Sequence, residues 1–153
     1  MFLNQIMERN KHNVGTYFNH PSIIMWSLGN ETVDGPNFTA AKDPSRAVHW
    51  ERARQGDNSD LFCPMYASQE YCQKYADSNK AEDQKPLIQC EYNHSMGNSS
   101  GGLKEYWDIV RQNKRFQGGF IWDFQDQALF GTVPPSMGKP VKTLMYGGDY
   151  NKY

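Results

Sequence analysis

The sequence predicts an α/β fold in which strands alternate with helices and pair in parallel. Two observations support this prediction. Short apolar runs at 23–26 and 86–88 are typical of buried strands, whereas apolar side chains in 103–110 recur with the period of a helix. Strands and helices that alternate along a chain indicate parallel βαβ units. We expect about five strands and three or four helices in these 153 residues.

The first part of the chain contains one predicted helix and two predicted strands. Residues 1–18 place apolar side chains on one helical face, and Pro21 follows as a helix breaker. Residues 22–28 are nearly all apolar, as in a strand buried on both faces. Residues 47–51 are predicted to form a second strand, and 37–42 are a short helical candidate between the two.

The middle of the chain predicts a strand, a helix and another strand. Residues 60–66 are the first strand, and Ser68 is suited to cap the helix that follows. That helix has an apolar face made of Tyr71, Cys72, Tyr75 and Ala76. The charged segment 77–85 is predicted to be a loop, and 86–91 the next strand. The connection at 52–59 is shorter than the dozen or so residues that a helical crossover needs.

The last part begins with the clearest amphipathic helix. Its apolar positions, spaced i, i+3, i+4 and i+7, are Leu103, Tyr106, Trp107 and Val110. Residues 116–124 are predicted to form a strand broken by Gly118 and Gly119, and 131–153 show no strong period. The tryptophans outside the proposed site are expected in the core, namely Trp26, Trp50 and Trp107.

Composition excludes several classes of function. The chain is long enough for one domain with a core, and its net charge of −1 gives no basic field for nucleic acid. No apolar stretch is long enough to span a bilayer, and no N-terminal signal peptide is visible. The odd count of cysteines, without CxxC spacing, favours buried free thiols over disulfides or a zinc site.

Two glutamates stand where predicted strands end. Glu31 follows the run at 23–26, and Glu91 follows the run at 86–88. A pair of carboxyls is what glycoside hydrolysis requires, one to give a proton and one to attack or to activate water. The pair therefore predicts a glycoside hydrolase.

Longer motifs around both glutamates carry a family resemblance. Residues 19–31 (NHPSIIMWSLGNE) resemble the acid/base signature of family 2 glycoside hydrolases, and of the large β-galactosidases in particular. Residues 90–99 (CEYNHSMGNS) resemble the nucleophile signature of the same enzymes. Four more segments match in the family's order, at 43–46 (DPSR), 63–66 (CPMY), 118–123 (GGFIWD) and 146–150 (YGGDY).

The resemblance implies a (β/α)₈ TIM barrel with its active site at the carboxyl ends of the strands. A whole barrel takes roughly 250 residues. Residues 1–153 are therefore expected to be a partial barrel, roughly strands four to eight. The N-terminal half of the barrel and the flanking β-sandwich domains are expected to be absent.

The resemblance also implies the catalytic roles. Glu31 would be the general acid/base, and Glu91 the nucleophile of a retaining enzyme, in which the two carboxyls stand about 5–5.5 Å apart. Tyr66 would donate a hydrogen bond to Glu91, although a tyrosine of the core is the alternative. Met65 beside it would line the substrate site or simply pack.

Three further residues would bind the sugar. Asn30 would hold the 2-hydroxyl, a contact that strengthens in the transition state. His94 would bind hydroxyls near the reacting carbon, and a structural histidine is the alternative. Trp122 would form an apolar floor under the galactosyl ring, with a tryptophan of the barrel core as the alternative.

The cofactors and partners follow from the same resemblance. Glu31 would ligate Mg²⁺, whose other family ligands, a glutamate and a histidine, are not in this chain. Na⁺ is a further possibility in the full-length enzyme, which would be a homo-oligomer acting on β-galactosides. β-Glucuronidase and β-mannosidase are the near alternatives. Two others are a catalytically inactive truncated fragment and a carbohydrate-binding protein without catalysis.

Overall fold

The computed structural model describes residues 2–32, 45–80, 85–132 and 142–150. The chain divides into two compact units, Met1–Trp122 and Asp123–Tyr153. In the described residues of the first unit the elements are α1 (Leu3–Tyr17), β1 (Met25–Ser27), β2 (Ala47–His49), a 3₁₀ turn (Glu51–Ala53), α2 (Gln69–Ala76), β3 (Leu87–Tyr92), α3 (Leu103–Gln112) and β4 (Phe116–Ile121). The predicted helix at 37–42 lies outside the described residues.

The strands of the first unit pair in parallel, as predicted. β1 runs beside β2 with Trp26 opposite Val48, and β3 runs beside β4 with Leu87 opposite Phe116. Spatial neighbours are also neighbours along the chain, which is the arrangement of a barrel wall.

Residues 60–66 differ from the predicted strand. This segment lies between the two pairs, and its amide at Asp60 donates to the carbonyl of Val48 at 2.8 Å. It forms two isolated bridges to β3, at Phe62 and at Met65, and the amides of Ile88 and Cys90 donate to the carbonyls of Phe62 and Pro64. Pro64 lies between the two bridges and has no amide hydrogen to donate, so a continuous ladder cannot form.

β1 is buried on one face, so the prediction of burial on both faces is wrong. Trp26 and Leu28, which share one face, are buried, whereas on the other face Met25 is only partly buried and Ser27 is exposed. In the described part of the chain the apolar run therefore supplies one layer of core. On the other face the apolar side chain of Met25 is only partly buried by the described residues.

Two apolar clusters support the strands. The larger lies where α2 and α3 pack on the sheet and includes Phe62, Cys72, Tyr75, Leu87 and Phe116. The smaller consists of Leu28, Val48, Trp50 and Ala53. The larger cluster includes Leu87 and Phe116, the first residues of β3 and β4, and so anchors the strands whose carboxyl ends carry the site described below.

The tryptophans expected in the core divide into two groups. Trp26 and Trp50 are buried, as predicted. Trp107 is 39% exposed, so its assignment to the core is wrong. On α3 the buried side is centred on Ile109, with Tyr106 and Val110 packed beside the larger cluster, and Trp107 lies towards the edge of that face.

Of two local predictions, the cap of α2 is confirmed and the break in β4 is not. Ser68 caps α2 by accepting a hydrogen bond from the amide of Tyr71. β4 continues through Gly118 and Gly119 with a register shift, so the predicted break is wrong. A Cβ at Gly119 would lie 3.0–3.2 Å from Tyr92 and Gln89, so a side chain here would force these neighbours to shift.

The second unit contains structure that the sequence did not predict. β5 (Leu129–Thr132) and β6 (Lys142–Met145) form an antiparallel pair, and α4 (Gly147–Tyr150) follows. Leu129, Phe130 and Leu144 are all largely exposed. Alternation between buried and exposed positions is the signal for a strand, and these strands lack it.

The cysteines are free, as predicted. Cys63 and Cys72 are fully buried and Cys90 is half-buried. Burial raises the pKa of Cys63 to about 11 and the pKa values of Cys72 and Cys90 to about 12. Among the helices of the described residues, none is both long and apolar enough to cross a membrane.

Candidate functional site

The site is built around the carboxyl end of β3. Glu91 is the next-to-last residue of this strand and is 9% exposed. Its carbonyl accepts a hydrogen bond from the amide of Tyr66 at 2.8 Å, and Met65 forms a parallel bridge with Glu91. Backbone pairing therefore fixes Met65 and Tyr66 beside Glu91, as the sequence analysis expected of this trio.

The carboxylate of Glu91 accepts two side-chain hydrogen bonds. The Tyr66 hydroxyl donates to Oε2 at 2.9 Å, and Asn30 Nδ2 donates to Oε1 at 3.4 Å. The two donors come from segments that are 36 positions apart in the chain. Each oxygen is thus held from a different side, which fixes the orientation of the carboxylate.

Tyr66 is suited to remain a donor at any pH at which proteins work. Desolvation raises the pKa of Tyr66 to about 12, and the hydrogen bond to Glu91 and its negative charge add to the rise. The residue has a φ of +52°, a conformation uncommon outside glycine. Its ring lies 6.1 Å from that of His94, tilted by 54°.

Glu31 lies in the turn after β1, next to Asn30. Its side chain is exposed, and its φ is +50°. Because Asn30 contacts the Glu91 carboxylate, the turn that carries Glu31 is tied to the end of β3. The structure therefore brings together the two segments that supply the predicted carboxyl pair.

The loop after β3 and the end of β4 hold the remaining predicted residues. The amide of Ser95, which follows His94, donates to the carbonyl of Trp122 at 2.6 Å. The amide of Trp122 in turn donates to the carbonyl of Tyr92 at 3.1 Å. Trp122 is 41% exposed, so its indole lies at the surface of this strand end and not within the core.

Glu51 is a site residue that the sequence analysis missed. It lies two residues after the end of β2, and its carboxylate accepts a hydrogen bond from the Glu31 amide at 2.7 Å. With Met65 and neighbouring residues it also bounds a cavity of about 480 Å³. The signal was available, because Glu51 ends a predicted strand just as Glu31 and Glu91 follow theirs.

The described residues do not form a metal site by themselves. Among residues 2–32, 45–80, 85–132 and 142–150, no group of three or more histidine, cysteine, aspartate or glutamate side chains could hold an ion. Glu31 could be at most one ligand of a site completed by other residues. The expectation that Glu31 ligates Mg²⁺ therefore stays a prediction.

Comparison with protein families gives one match over the whole chain. The family model described as "Glycosyl hydrolases family 2, TIM barrel domain" matches residues 1–153. Among solved structures, "Faecalibacterium prausnitzii Beta-glucuronidase" superposes with a TM-score of 0.53 at 16% identity, covering 80% of this chain and 28% of that one. At this identity the likeness concerns the fold alone.

Curated relatives share much more sequence. A β-galactosidase of Priestia megaterium is 45% identical over 141 residues, covering 86% of this chain and 13% of the relative. A β-galactosidase of Kluyveromyces lactis is 41% identical over 144 residues, covering 88% and 14%. The β-galactosidase large subunit of Latilactobacillus sakei is 41% identical over 156 residues, covering 95% and 24%. The chain thus spans less than a quarter of the length of these relatives.

Proposed function

This chain belongs to the TIM barrel domain of glycosyl hydrolase family 2, and we propose that it carries both catalytic carboxyls of a retaining β-galactosidase. The observation that carries the proposal is the hydrogen-bonded arrangement at Glu91. Its carboxylate is held by Tyr66 and by Asn30, and Asn30 is the chain neighbour of Glu31. A carboxylate held in this way is suited to attack the anomeric carbon of a sugar. The second carboxyl, that of Glu31, lies on the adjoining turn.

In the first step Glu91 attacks the anomeric carbon of a β-galactoside. A bond forms between Glu91 and that carbon as the bond from the carbon to the aglycone oxygen breaks. Glu31, in its protonated form, gives its proton to the departing oxygen. The product of this step is a covalent galactosyl-enzyme and a free alcohol.

In the second step Glu31 acts as a base. It removes a proton from a water molecule, whose oxygen attacks the anomeric carbon and displaces the Glu91 carboxylate. Galactose leaves with its original anomeric configuration after two inversions. Glu31 regains its proton and Glu91 its charge, so the cycle closes.

Four residues would orient the sugar. Asn30 would donate to the 2-hydroxyl, and His94 would bind hydroxyls near the reacting carbon. The half-exposed ring of Trp122 offers an apolar surface for the C–H face of the sugar. Met65, fixed by its bridge to Glu91, would border the same space.

The names of the relatives favour galactose as the sugar, with β-glucuronide and β-mannoside as the alternatives. We further propose that residues 1–153 correspond to roughly strands four to eight of the barrel, and that these residues alone are inactive. Mg²⁺ would be held by Glu31 together with ligands beyond the described residues, and Na⁺ belongs to the same proposal for the whole protein. Assembly of the whole protein into a homo-oligomer is part of the same proposal.

The experiment compares the full-length protein that contains this chain with its Glu91→Gln variant. Initial rates are measured on chromogenic β-galactoside, β-glucuronide and β-mannoside. We expect hydrolysis of the galactoside, loss of at least about a thousandfold in Glu91→Gln, and no loss in the control Glu105→Gln, which changes an exposed glutamate of α3.

A second measurement identifies the nucleophile directly. A 2-deoxy-2-fluoro-β-galactosyl fluoride should label the wild-type protein on the peptide that contains Glu91, as seen by mass spectrometry. Full activity of Glu91→Gln, or a label on another residue, would overturn the assignment. Preference for the glucuronide or the mannoside would leave the proposed mechanism intact and would contradict galactose as the sugar.

A further inference from the structure

We propose that Glu51 is a positioning residue for Glu31, acting by holding the Glu31 backbone so that its carboxyl faces the leaving group. The proposal rests on the role of Glu31 as acid/base given above. It extends the site to a residue on a third segment, the 3₁₀ turn that follows β2.

The contact is short, and its acceptor side chain is buried. Glu51 Oε1 accepts from the Glu31 amide at 2.7 Å, and the Glu51 side chain is only 7% exposed. The same carboxylate accepts from the Arg52 amide at 2.8 Å through Oε2 and from Arg52 Nε at 3.0 Å through Oε1. Two donors of Arg52 therefore hold the carboxylate that accepts from the Glu31 amide.

Glu31 needs such an acceptor because of its backbone. Its φ of +50° lies in the left-handed region, which residues other than glycine occupy only where the surroundings hold them. A backbone amide directed at a fixed carboxylate supplies that restraint. The direction of the Glu31 side chain then depends on Glu51.

The neighbouring contacts show that this support is continuous. The amide of Leu28 donates to the carbonyl of His49 at 3.1 Å, and Trp50 Nε1 donates to the Thr32 hydroxyl at 3.1 Å. The contact of Glu51 with Glu31 is a third one between the same two segments. Residues 49–51 thus contact the turn at Leu28, at Thr32 and at the amide of Glu31 itself.

The test separates the reach of the side chain from its charge. Glu51→Gln keeps an oxygen that can accept from Glu31 and removes the charge. Glu51→Asp keeps the charge and withdraws the oxygen by one methylene, and Glu51→Ala removes both. The control Glu70→Ala changes an exposed glutamate on α2 that pairs with Lys74.

Each variant of the full-length protein is assayed for kcat/KM on two β-galactosides. A methyl galactoside needs a proton on its leaving oxygen, whereas a dinitrophenyl galactoside does not. We expect Glu51→Asp and Glu51→Ala to lose about tenfold or more on the methyl galactoside and less than about threefold on the dinitrophenyl galactoside. Glu51→Gln and Glu70→Ala should stay within about threefold of wild type on both.

If Glu51 had a merely structural role, its variants would lose kcat/KM equally on both substrates, and that result overturns the proposal. So does a loss in Glu51→Gln as large as that in Glu51→Asp, because it would assign the effect to charge. The use of Asp and Gln keeps the test valid if the alanine variant fails to fold.

Amide hydrogen exchange gives a readout that does not depend on activity. The amides of the peptide spanning 28–32 should exchange faster in Glu51→Asp than in wild type. In Glu70→Ala their exchange rate should equal that of wild type. Unchanged exchange in Glu51→Asp overturns the proposal whether or not the protein is active. If wild type hydrolyses no glycoside, the proposed function fails, and exchange alone decides whether Glu51 holds Glu31.

Discussion

Tyr66 and Glu91 are joined by two hydrogen bonds, one through the backbone and one through the side chains. The Tyr66 amide donates to the Glu91 carbonyl at 2.8 Å, and the Tyr66 hydroxyl donates to the Glu91 carboxylate at 2.9 Å. The first bond fixes the register of the two segments. The second therefore orients the carboxylate at little further cost in conformational freedom.

Replacement of Tyr66 by phenylalanine should lower kcat by about 10- to 100-fold, because a hydrogen bond to a charged group is worth about 1.5–3 kcal/mol. The melting temperature should change little, since the backbone bond to Glu91 remains. Steady-state kinetics of the full-length protein on a chromogenic galactoside measures this. Tyr17→Phe, on an exposed tyrosine of α1, is the control. An unchanged kcat would show that the hydroxyl does not serve Glu91.

Substitution of Asn30 should reveal the electrostatics of the Glu91 carboxylate. Asn30→Ala removes the donor at 3.4 Å, and Asn30→Asp places a second negative charge against the same oxygen. We expect kcat/KM at pH 7 to fall by about tenfold for alanine and further for aspartate, because like charges repel at this distance. Asn13→Asp on the exposed side of α1 should have no effect. Equal values for the two Asn30 variants would contradict a direct contact with Glu91.

The thiols should be nearly unreactive in the folded protein. Burial raises the pKa of Cys63 to about 11 and those of Cys72 and Cys90 to about 12, so very little thiolate exists at pH 8. A disulfide reagent should modify these three residues slowly in buffer and completely in denaturant, as counted by peptide mass spectrometry. Rapid native modification of Cys63 or Cys72 would mean that their cluster opens readily.

The sequence predicted which segments meet at Glu91 better than it predicted the strands around them. Glu31 and Glu91 were found because each follows an apolar run, and the structure links their segments through Asn30. The same rule applied to 47–51 would have found Glu51. What the rule cannot supply is the contact of Glu51 with Glu31, because pairing between β1 and β2 brings together residues 20 positions apart.

The failures have identifiable physical causes. The segment 60–66 is extended but does not form a full strand, since Pro64 interrupts the hydrogen-bond ladder. The pair formed by β5 and β6 has largely exposed side chains, so no alternation could predict it. Trp107 satisfies the helical period and still lies at the edge of the buried face, because the period gives the direction of a side chain and not the extent of the neighbouring core.

His49 should make the stability of the protein depend on pH. It is 8% exposed, its Nδ1 lies 3.5 Å from the Ser27 hydroxyl, and its ring meets the edge of Phe120 at 6.1 Å. Desolvation lowers the pKa of His49 below its usual 6.5, and the charge of Glu51 opposes the shift only in part. The folded state therefore binds fewer protons at this site than the unfolded state does.

The sign of the effect follows from that difference. Above the unfolded pKa of about 6.5 both states hold a neutral imidazole, and the contribution of His49 to stability is complete. As the pH falls below that value the unfolded state gains a proton first, so the free energy of unfolding decreases. Thermal melts of the full-length protein between pH 7.5 and pH 5 should show this decrease, and His49→Gln should reduce its slope. The control His12→Gln, on the exposed side of α1, should keep the wild-type slope. Equal slopes for His49→Gln and wild type would mean that His49 is protonated as easily in the folded protein as in the unfolded chain.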